Sequence, residues 1–272
     1  MTFGCCVNLL PQGAGPAGSG YAREIKEAGY DYIELPLSQL EALGEREFEE
    51  LRGLLGALDL PCPCCNAFLP PALRVTGEDR SPDAELERYL SRAFGRMEAL
   101  GAAVAGFGSP QSRSCPPGFS PDRALDQIEA FLRRAGELAA DHGVVVALEH
   151  VSGAESNVLN HYGDVLSMAR RIGAPQVRTL CDYYHLRWEG DDPRVLLDGG
   201  GEWLVHTHIA ALEGRRYLTG LEGETPALQA YAGVLRELGY AGGVSVEAQT
   251  ESRAAWRREA EQTLALLRQV FQ

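Results

Sequence analysis

The sequence predicts an α/β fold, a single (β/α)₈ TIM barrel over residues 1–272, and three observations predict it. Short apolar runs alternate with amphipathic helical stretches along the whole chain. Runs of this kind separated by helices read as parallel strands buried on both faces. Eight such repeats fit into 272 residues, close to the roughly 250 that a barrel of eight βα units takes. Four polar residues, Glu149, Asp182, His208 and Glu247, each end an apolar run, and they are separated by 33, 26 and 39 positions. Those intervals are about one βα unit. An open doubly wound sheet is the alternative, but no G-x-G-x-x-G follows the first strand.

In order, the first strand candidate spans residues 3–8 and ends in Asn8, and a helical stretch over 20–28 follows a Gly- and Pro-containing loop at 11–20. A second run at 30–35 precedes a helix at 46–58, and a third at 61–66 precedes a helix at 82–100. After the fourth run, 102–107, a loop at 109–121 ends in Ser120-Pro121-Asp122, which reads as N-cap, N1 proline and first-turn acid. Leu125, Ile128, Leu132 and Ala135 then recur at helical spacing, and His142-Gly143 closes that helix. Runs at 144–149, 177–182, 203–208 and 243–247 supply the last four strands, with helices at 161–172, 191–197, 226–238 and 253–271. The Gly- and Pro-containing stretches are short, as barrel loops are, and none marks a domain boundary.

Composition excludes several function classes. The formal net charge is −13 and the pI about 5.0, and Lys and Arg form no stripe. Nucleic-acid binding rests on concentrated positive charge, and so does attachment to an anionic membrane surface. No apolar run approaches the roughly 20 residues of a membrane span, and the N-terminus has no basic segment followed by an apolar one. Seven cysteines, an odd number, fit a reducing compartment better than a disulfide framework, so the expected location is cytoplasmic. Cys62, Cys64 and Cys65 form a weak zinc signal without a second knuckle, and read better as small residues in a buried strand.

The four polar strand ends fall on strands five to eight, at the C-terminal face where barrel enzymes place their chemistry. Alone, each has a plainer role: Glu149 in a salt bridge at the barrel mouth, Asp182 capping a loop, His208 as a satisfied core histidine. Together, three carboxylates and an imidazole converging on one point require a cation. The same location rule makes Asn8, Glu34, Asn66 and Gly108-Ser109, at the ends of strands one to four, either pocket-lining groups or partners of loop backbone. His206 is two residues from His208 and points the same way, which makes it a candidate supporting partner. His150, adjacent to Glu149, points away and packs. Trp188 and Tyr183 either wall the pocket or pack.

The ordered motifs Leu148-Glu149-His150-Val151-Ser152-Gly153-Ala154-Glu155-Ser156-Asn157, Asp182-Tyr183-Tyr184-His185, His206-Thr207-His208-Ile209-Ala210 with Arg215 following, and Val244-Ser245-Val246-Glu247 resemble the xylose-isomerase-like sugar phosphate isomerase/epimerase superfamily. The likeness is greatest to ketose 3-epimerases of the tagatose/psicose epimerase type. Cys65-Asn66-Ala67-Phe68-Leu69-Pro70 and Phe107-Gly108-Ser109-Pro110 extend it over nearly the full length. The resemblance implies that Glu149, Asp182, His208 and Glu247 bind one divalent metal, commonly Mn²⁺, Co²⁺ or Mg²⁺, with Glu149 and Glu247 also serving as the acid/base pair. It implies sugar contacts from Glu155, His185 and Arg215, with Arg216 the competitor for the last position. Asn66 and Ser109 are further substrate-contact candidates from their strand ends. A homodimer or homotetramer is a further implication.

The chemistry follows from the residue types. An α-hydroxycarbonyl chelates a divalent ion through neighbouring oxygens, and the ion stabilises a developing cis-enediolate. A carboxylate on each side of the bound sugar lets one face lose a proton and the other receive it. Three carboxylate oxygens and an imidazole without thiolate suit Mn²⁺, Mg²⁺ or Co²⁺, with Zn²⁺ less favoured. Arg215 or a protonated His185 would offset the enediolate's charge. The expected function is therefore a metal-dependent isomerase or epimerase of a sugar-like α-hydroxycarbonyl. The alternatives are a keto-sugar or inosose dehydratase, an AP-endonuclease-like phosphodiesterase, and a non-catalytic binding protein. The phosphodiesterase needs extra histidines at the ends of strands three and four, where Asn66 and Gly108-Ser109 stand. Arg74, Arg113 and Arg216 are conceivable anion contacts if the substrate is phosphorylated.

Overall fold

The computed structural model describes residues 1–11, 15–199, 201–219 and 223–271; part of the loop at 11–20 therefore lies outside the described residues. Eight strands close into one barrel in chain order: β1 (Thr2–Cys6), β2 (Tyr32–Pro36), β3 (Cys64–Asn66), β4 (Val104–Phe107), β5 (Val145–Glu149), β6 (Val177–Asp182), β7 (Leu204–Ile209) and β8 (Gly243–Val246). Every pairing is parallel, and β8 returns to β1 through Thr2↔Gly243 to Cys5↔Val246.

The helices are α1 (Ala22–Ala28), α2 (Leu37–Ala42), α3 (Glu45–Ala57), α4 (Asp83–Leu100), α5 (Pro110–Arg113), α6 (Pro121–Ala140), α7 (Tyr162–Ile172), α8 (Tyr183–Glu189), α9 (Thr225–Glu237) and α10 (Arg253–Val270). The start of α6 is as the sequence predicts, with Ser120 accepting from Arg123 N–H and Pro121 at the first turn. The stretch at 191–197 is a 3₁₀ helix, Pro193–Asp198. Three short helices, α2, α5 and α8, stand where sequence spacing shows too few turns to reveal a period. β3 is shorter than its apolar run because Pro61 and Pro63 have no N–H; their carbonyls accept from Ile33 N and Val104 N. Among the described residues, no helix is long and apolar enough to cross a membrane.

Strand alternation divides the core. Ile33, Leu35, Val146, Leu148, Val244 and Val246 are fully buried in the apolar cluster that the helices complete. The residues between them face the barrel axis, where the filling is polar. Tyr32 lies lowest, across Gly4 and Gly243, whose missing side chains make room for it: a Cβ on Gly4 would lie 1.9 Å from the ring and one on Gly243 2.5 Å from the hydroxyl. Above it come Glu34, Cys64, His206 and Ser245, all buried and in mutual contact. The residues two positions further along β7 and β8, His208 and Glu247, reach the C-terminal mouth.

Candidate metal centre

Glu149 ends β5, Asp182 ends β6, His208 lies near the end of β7 and Glu247 follows β8 directly. Each contributes one oxygen or nitrogen to a group whose atoms all lie within 4.8 Å of one another, and all four side chains are buried. His208 Nδ1 lies 3.3 Å from Glu149 Oε1 and 3.4 Å from Glu247 Oε2. Gly108 admits the Glu149 carboxylate, since a Cβ there would lie 2.4 Å from Oε2. Asp182 does two things: Oδ1 caps α8 by accepting from Tyr184 N at 2.8 Å, and Oδ2 faces Arg215.

Arg215 enters this carboxylate group. Its Nη2 donates to Asp182 Oδ2 at 2.8 Å and to Glu247 Oε2, and its Nη1 donates to Glu155 Oε1 at 3.1 Å. The Tyr184 ring stacks 4.9 Å from the guanidinium carbon. The loop delivers it through Gly214 and Arg215, both at positive φ, and Gln249 N donates to the Arg215 carbonyl at 2.7 Å. Arg216 turns outward toward Glu251, so the pocket position belongs to Arg215.

Electrostatics separate the carboxylates. Burial pushes Glu149 up more than the His208 hydrogen bond lowers it. Burial raises Asp182 also, against the pull of Arg215. At Glu247 burial is outweighed by Arg215 and His208, which hold the carboxyl well below its usual range. Burial disfavours charge on His208, yet Glu34 and Glu247 raise its pKa well above the ordinary value. The site thus demands positive charge at Nδ1, from a proton or a metal ion. Three carboxylate oxygens and one imidazole nitrogen, with no thiolate, fit Mn²⁺, Mg²⁺ or Co²⁺.

Of the two cations the sequence offers for the site, Arg215 or a protonated His185, the structure disfavours charge on His185. It is buried, its Nδ1 accepts from Ser152 N at 3.2 Å, and burial with Arg215 nearby drives its pKa down to about 2. Burial thus disfavours the protonated ring, and the Arg215 guanidinium stands beside it, 3.3 Å from His185 Nε2.

The pocket above the group has a volume of about 330 Å³ and is lined by Asn8, Leu9, Ser38, Leu69, Gly108, Ser109, Gln111, Val151, Glu155, His185 and Arg215, with Glu149 and Glu247 at its floor. Ser109, at φ 39°, turns its hydroxyl to Leu69 N at 2.9 Å. Asn66 lies behind Glu247: its Nδ2 donates to Glu247 Oε1 at 2.9 Å, beside Asn8 Nδ2 at 2.7 Å. Glu155 reaches the pocket, whereas Asn157 is tied to the backbone of Cys115. His150 is buried against Tyr162 and His185. Tyr183 packs on Tyr231, and Trp188 lies exposed outside the pocket lining. Arg113 is fully buried over the Phe107 ring, away from the pocket lining. A groove of about 420 Å³ between α4 and α6 is bridged by the Arg134–Glu87 pair.

Glu34 is the residue that sequence reasoning placed in the wrong layer. It lies in the middle of β2, in the barrel interior with no exposure, and Oε1 accepts from His208 Nε2 at 2.9 Å. The signal is the spacing of two: Ser245 precedes Glu247, His206 precedes His208 and Cys64 precedes Asn66 on the same strand face. Cys64, Glu34 and His206 are also close enough to share an ion, but their hydrogen bonds to one another already account for the geometry. The cysteines of the 62–65 stretch are buried free thiols.

An eight-stranded parallel barrel with buried carboxylates and a histidine at its C-terminal mouth defines a class of barrel built around a polar site. The sequence profile of the xylose isomerase-like TIM barrel family matches residues 22–270, and the chain belongs to that family. It is similar to a ketose 3-epimerase from Arthrobacter globiformis, with 26% identity over 189 residues, spanning 69% of this chain but 63% of that relative's length. It is also similar to an L-ribulose 3-epimerase from Methylomonas sp. (strain DH-1), with 26% identity over 239 residues, 86% of this chain and 78% of the relative. Among solved structures, D-psicose 3-epimerase with D-tagatose from Clostridium cellulolyticum H10 superposes with a TM-score of 0.88 over all of both chains at 15% identity, which shows a shared fold.

Proposed function

We propose that the chain is a metal-dependent isomerase or epimerase of a sugar or sugar-like α-hydroxycarbonyl. It works through a cis-enediolate with Glu149 and Glu247 as the acid/base pair. The observation that carries this reading is the meeting of two glutamates from different strands in one pocket, both belonging to a four-residue group with a metal-ligand donor set. The 3-epimerase names of the similar proteins support it.

Glu149, Asp182, His208 and Glu247 would hold one Mn²⁺, Co²⁺ or Mg²⁺, with Zn²⁺ less favoured. When bound, such an ion supplies Lewis-acid stabilisation to negative charge developing on the substrate's oxygens. The chain's own residues do the rest. One glutamate takes the proton from the carbon beside the carbonyl, and the other returns one to the opposite face. Asn8 and Asn66 fix Glu247 through Oε1, while Oε2 meets Arg215 and His208. Arg215 balances carboxylate charge and, with Glu155 and His185, offers polar contacts to hydroxyls. Leu9, Leu69 and Val151 restrict water around the reacting carbon.

Dehydration of a keto-sugar or inosose is the second reading, because it begins with the same proton abstraction. Glu155, which lines the pocket and whose carboxyl burial raises against the pull of Arg215, is the side chain placed to face a departing hydroxyl. The chain is further proposed to act in the cytoplasm as a homodimer or homotetramer; light scattering checks the assembly. Glu149→Gln and Glu247→Gln test the acid/base assignment. Each is expected to lower kcat by about 10²–10⁴-fold while sugar binding changes much less. Unchanged turnover in both variants refutes it.

A further inference from the structure

The interior of an eight-stranded barrel is ordinarily filled by layers of branched apolar side chains. This one carries an ionisable carboxylate with no exposure at all. Burying a carboxylate is costly, and an apolar residue of similar size is often as stable or more so. The two Glu34 oxygens are used differently. Oε2 accepts from His206 Nε2 at 2.8 Å, Ser245 Oγ at 2.5 Å and Cys64 Sγ at 3.2 Å. Oε1 accepts from His208 Nε2 at 2.9 Å. Ser245 is itself held by the Tyr32 hydroxyl at 2.8 Å, and Tyr32 is wedged over Gly4 and Gly243. An unbroken series of fixed groups therefore runs from the barrel floor to the far side of the His208 ring.

We propose that Glu34 is a positioning residue of the site: by accepting the hydrogen bond from Nε2–H of His208, it fixes the tautomer whose Nδ1 lone pair faces Glu149, Asp182 and Glu247. This rests on the metal-site reading above. His206, Ser245 and Cys64 serve the same end one step further back, by saturating Oε2 so that Oε1 alone addresses His208. A neutral imidazole has one N–H and one lone pair, so settling the first settles the second. A carboxylate behind a metal-bound imidazole orients the ring and raises its basicity, and losing it costs about 10–100-fold in metal affinity.

The test measures Mn²⁺ binding by calorimetry in the full-length wild type and in Glu34→Gln, with the thermal midpoint of each metal-free protein. The amide keeps the volume of the carboxylate but cannot accept from donors on both sides. The Mn²⁺ dissociation constant is expected to rise about 10–100-fold while the metal-free midpoint moves by only a few degrees. Equal affinities in the two proteins overturn the proposal and leave the metal-site reading intact; a wild type that binds no Mn²⁺ overturns both. If Glu34→Gln does not fold, a long-range ¹H–¹⁵N spectrum of the Mg²⁺-loaded wild type decides. His208 protonated at Nε2 supports the proposal, and His208 protonated at Nδ1 refutes it.

Discussion

Glu149 shows how one position depends on a residue with no side chain. Its carboxylate occupies the space that a Cβ on Gly108 would fill, 2.4 Å from Oε2. Gly108→Ala should displace the carboxylate and lower kcat on the order of 10²-fold, the effect of misplacing a catalytic group by about 1 Å. The thermal midpoint should barely move, because the clash is with the tip of one side chain. Steady-state kinetics and a melting curve on the same preparation check both halves. The four strand-end residues were legible in the sequence because polar groups interrupt apolar runs there. Glu34 stands out in the same way near the end of the apolar run at 30–35, but a place in the sequence alone does not reveal depth along the barrel axis. Asn66 was legible as a site neighbour, yet its contact with Glu247 depends on the closure of β3 and β8 around the barrel.

At the scale of elements, hydrophobic periodicity located the eight strands and the long helices, and the short ones escaped it. α8 follows β6 without a loop and its first residues are aromatic, so its seven residues show no polar face by which to recognise a helix. The α7 entrance carries a pH-dependent contact away from the metal centre. His161 Nδ1 lies 2.8 Å from Asp191 Oδ1, and that hydrogen bond raises its pKa above the ordinary value. A folded-state pKa above the unfolded one means stability that is fully present below the unfolded value of about 6.5 and is lost as pH rises through the folded one. His161→Ala should therefore lower the melting midpoint at pH 5.5 and cease to differ from wild type well above the raised pKa. A gap that stays constant across the titration would contradict the pairing. The effect should be small, since His161 is half exposed.

For the molecule as a whole, three buried carboxylates meet at the barrel mouth with Arg215 and His208 between them, and the proposed divalent ion would add to that compensating charge. An ion that binds only the folded state at 100 times its Kd stabilises it by about 2.7 kcal/mol. For a chain of this size that corresponds to a rise in Tm of roughly 5–10 °C, to be reversed by a chelator. Scanning calorimetry with Mn²⁺, and then with excess chelator, measures it. The acidic net charge of −13 agrees with a small-molecule site and not with a polyanion-binding surface. The barrel itself was legible because its repeat is written in the alternation of apolar runs and helices. Its polar interior was not, because Tyr32, Glu34, Cys64, His206 and Ser245 come from five segments that only barrel closure brings together. Glu149 and Glu247 are proposed to move a carbon-bound proton. That role is tested most directly by incubating Mn²⁺-loaded protein with a panel of ketoses and keto-inositols in D₂O and following the products by NMR. Deuterium is expected at a single carbon beside the carbonyl with no loss of water. Turnover with the original hydrogen retained at that carbon would contradict it, whereas products of elimination would replace epimerisation by the dehydration reading.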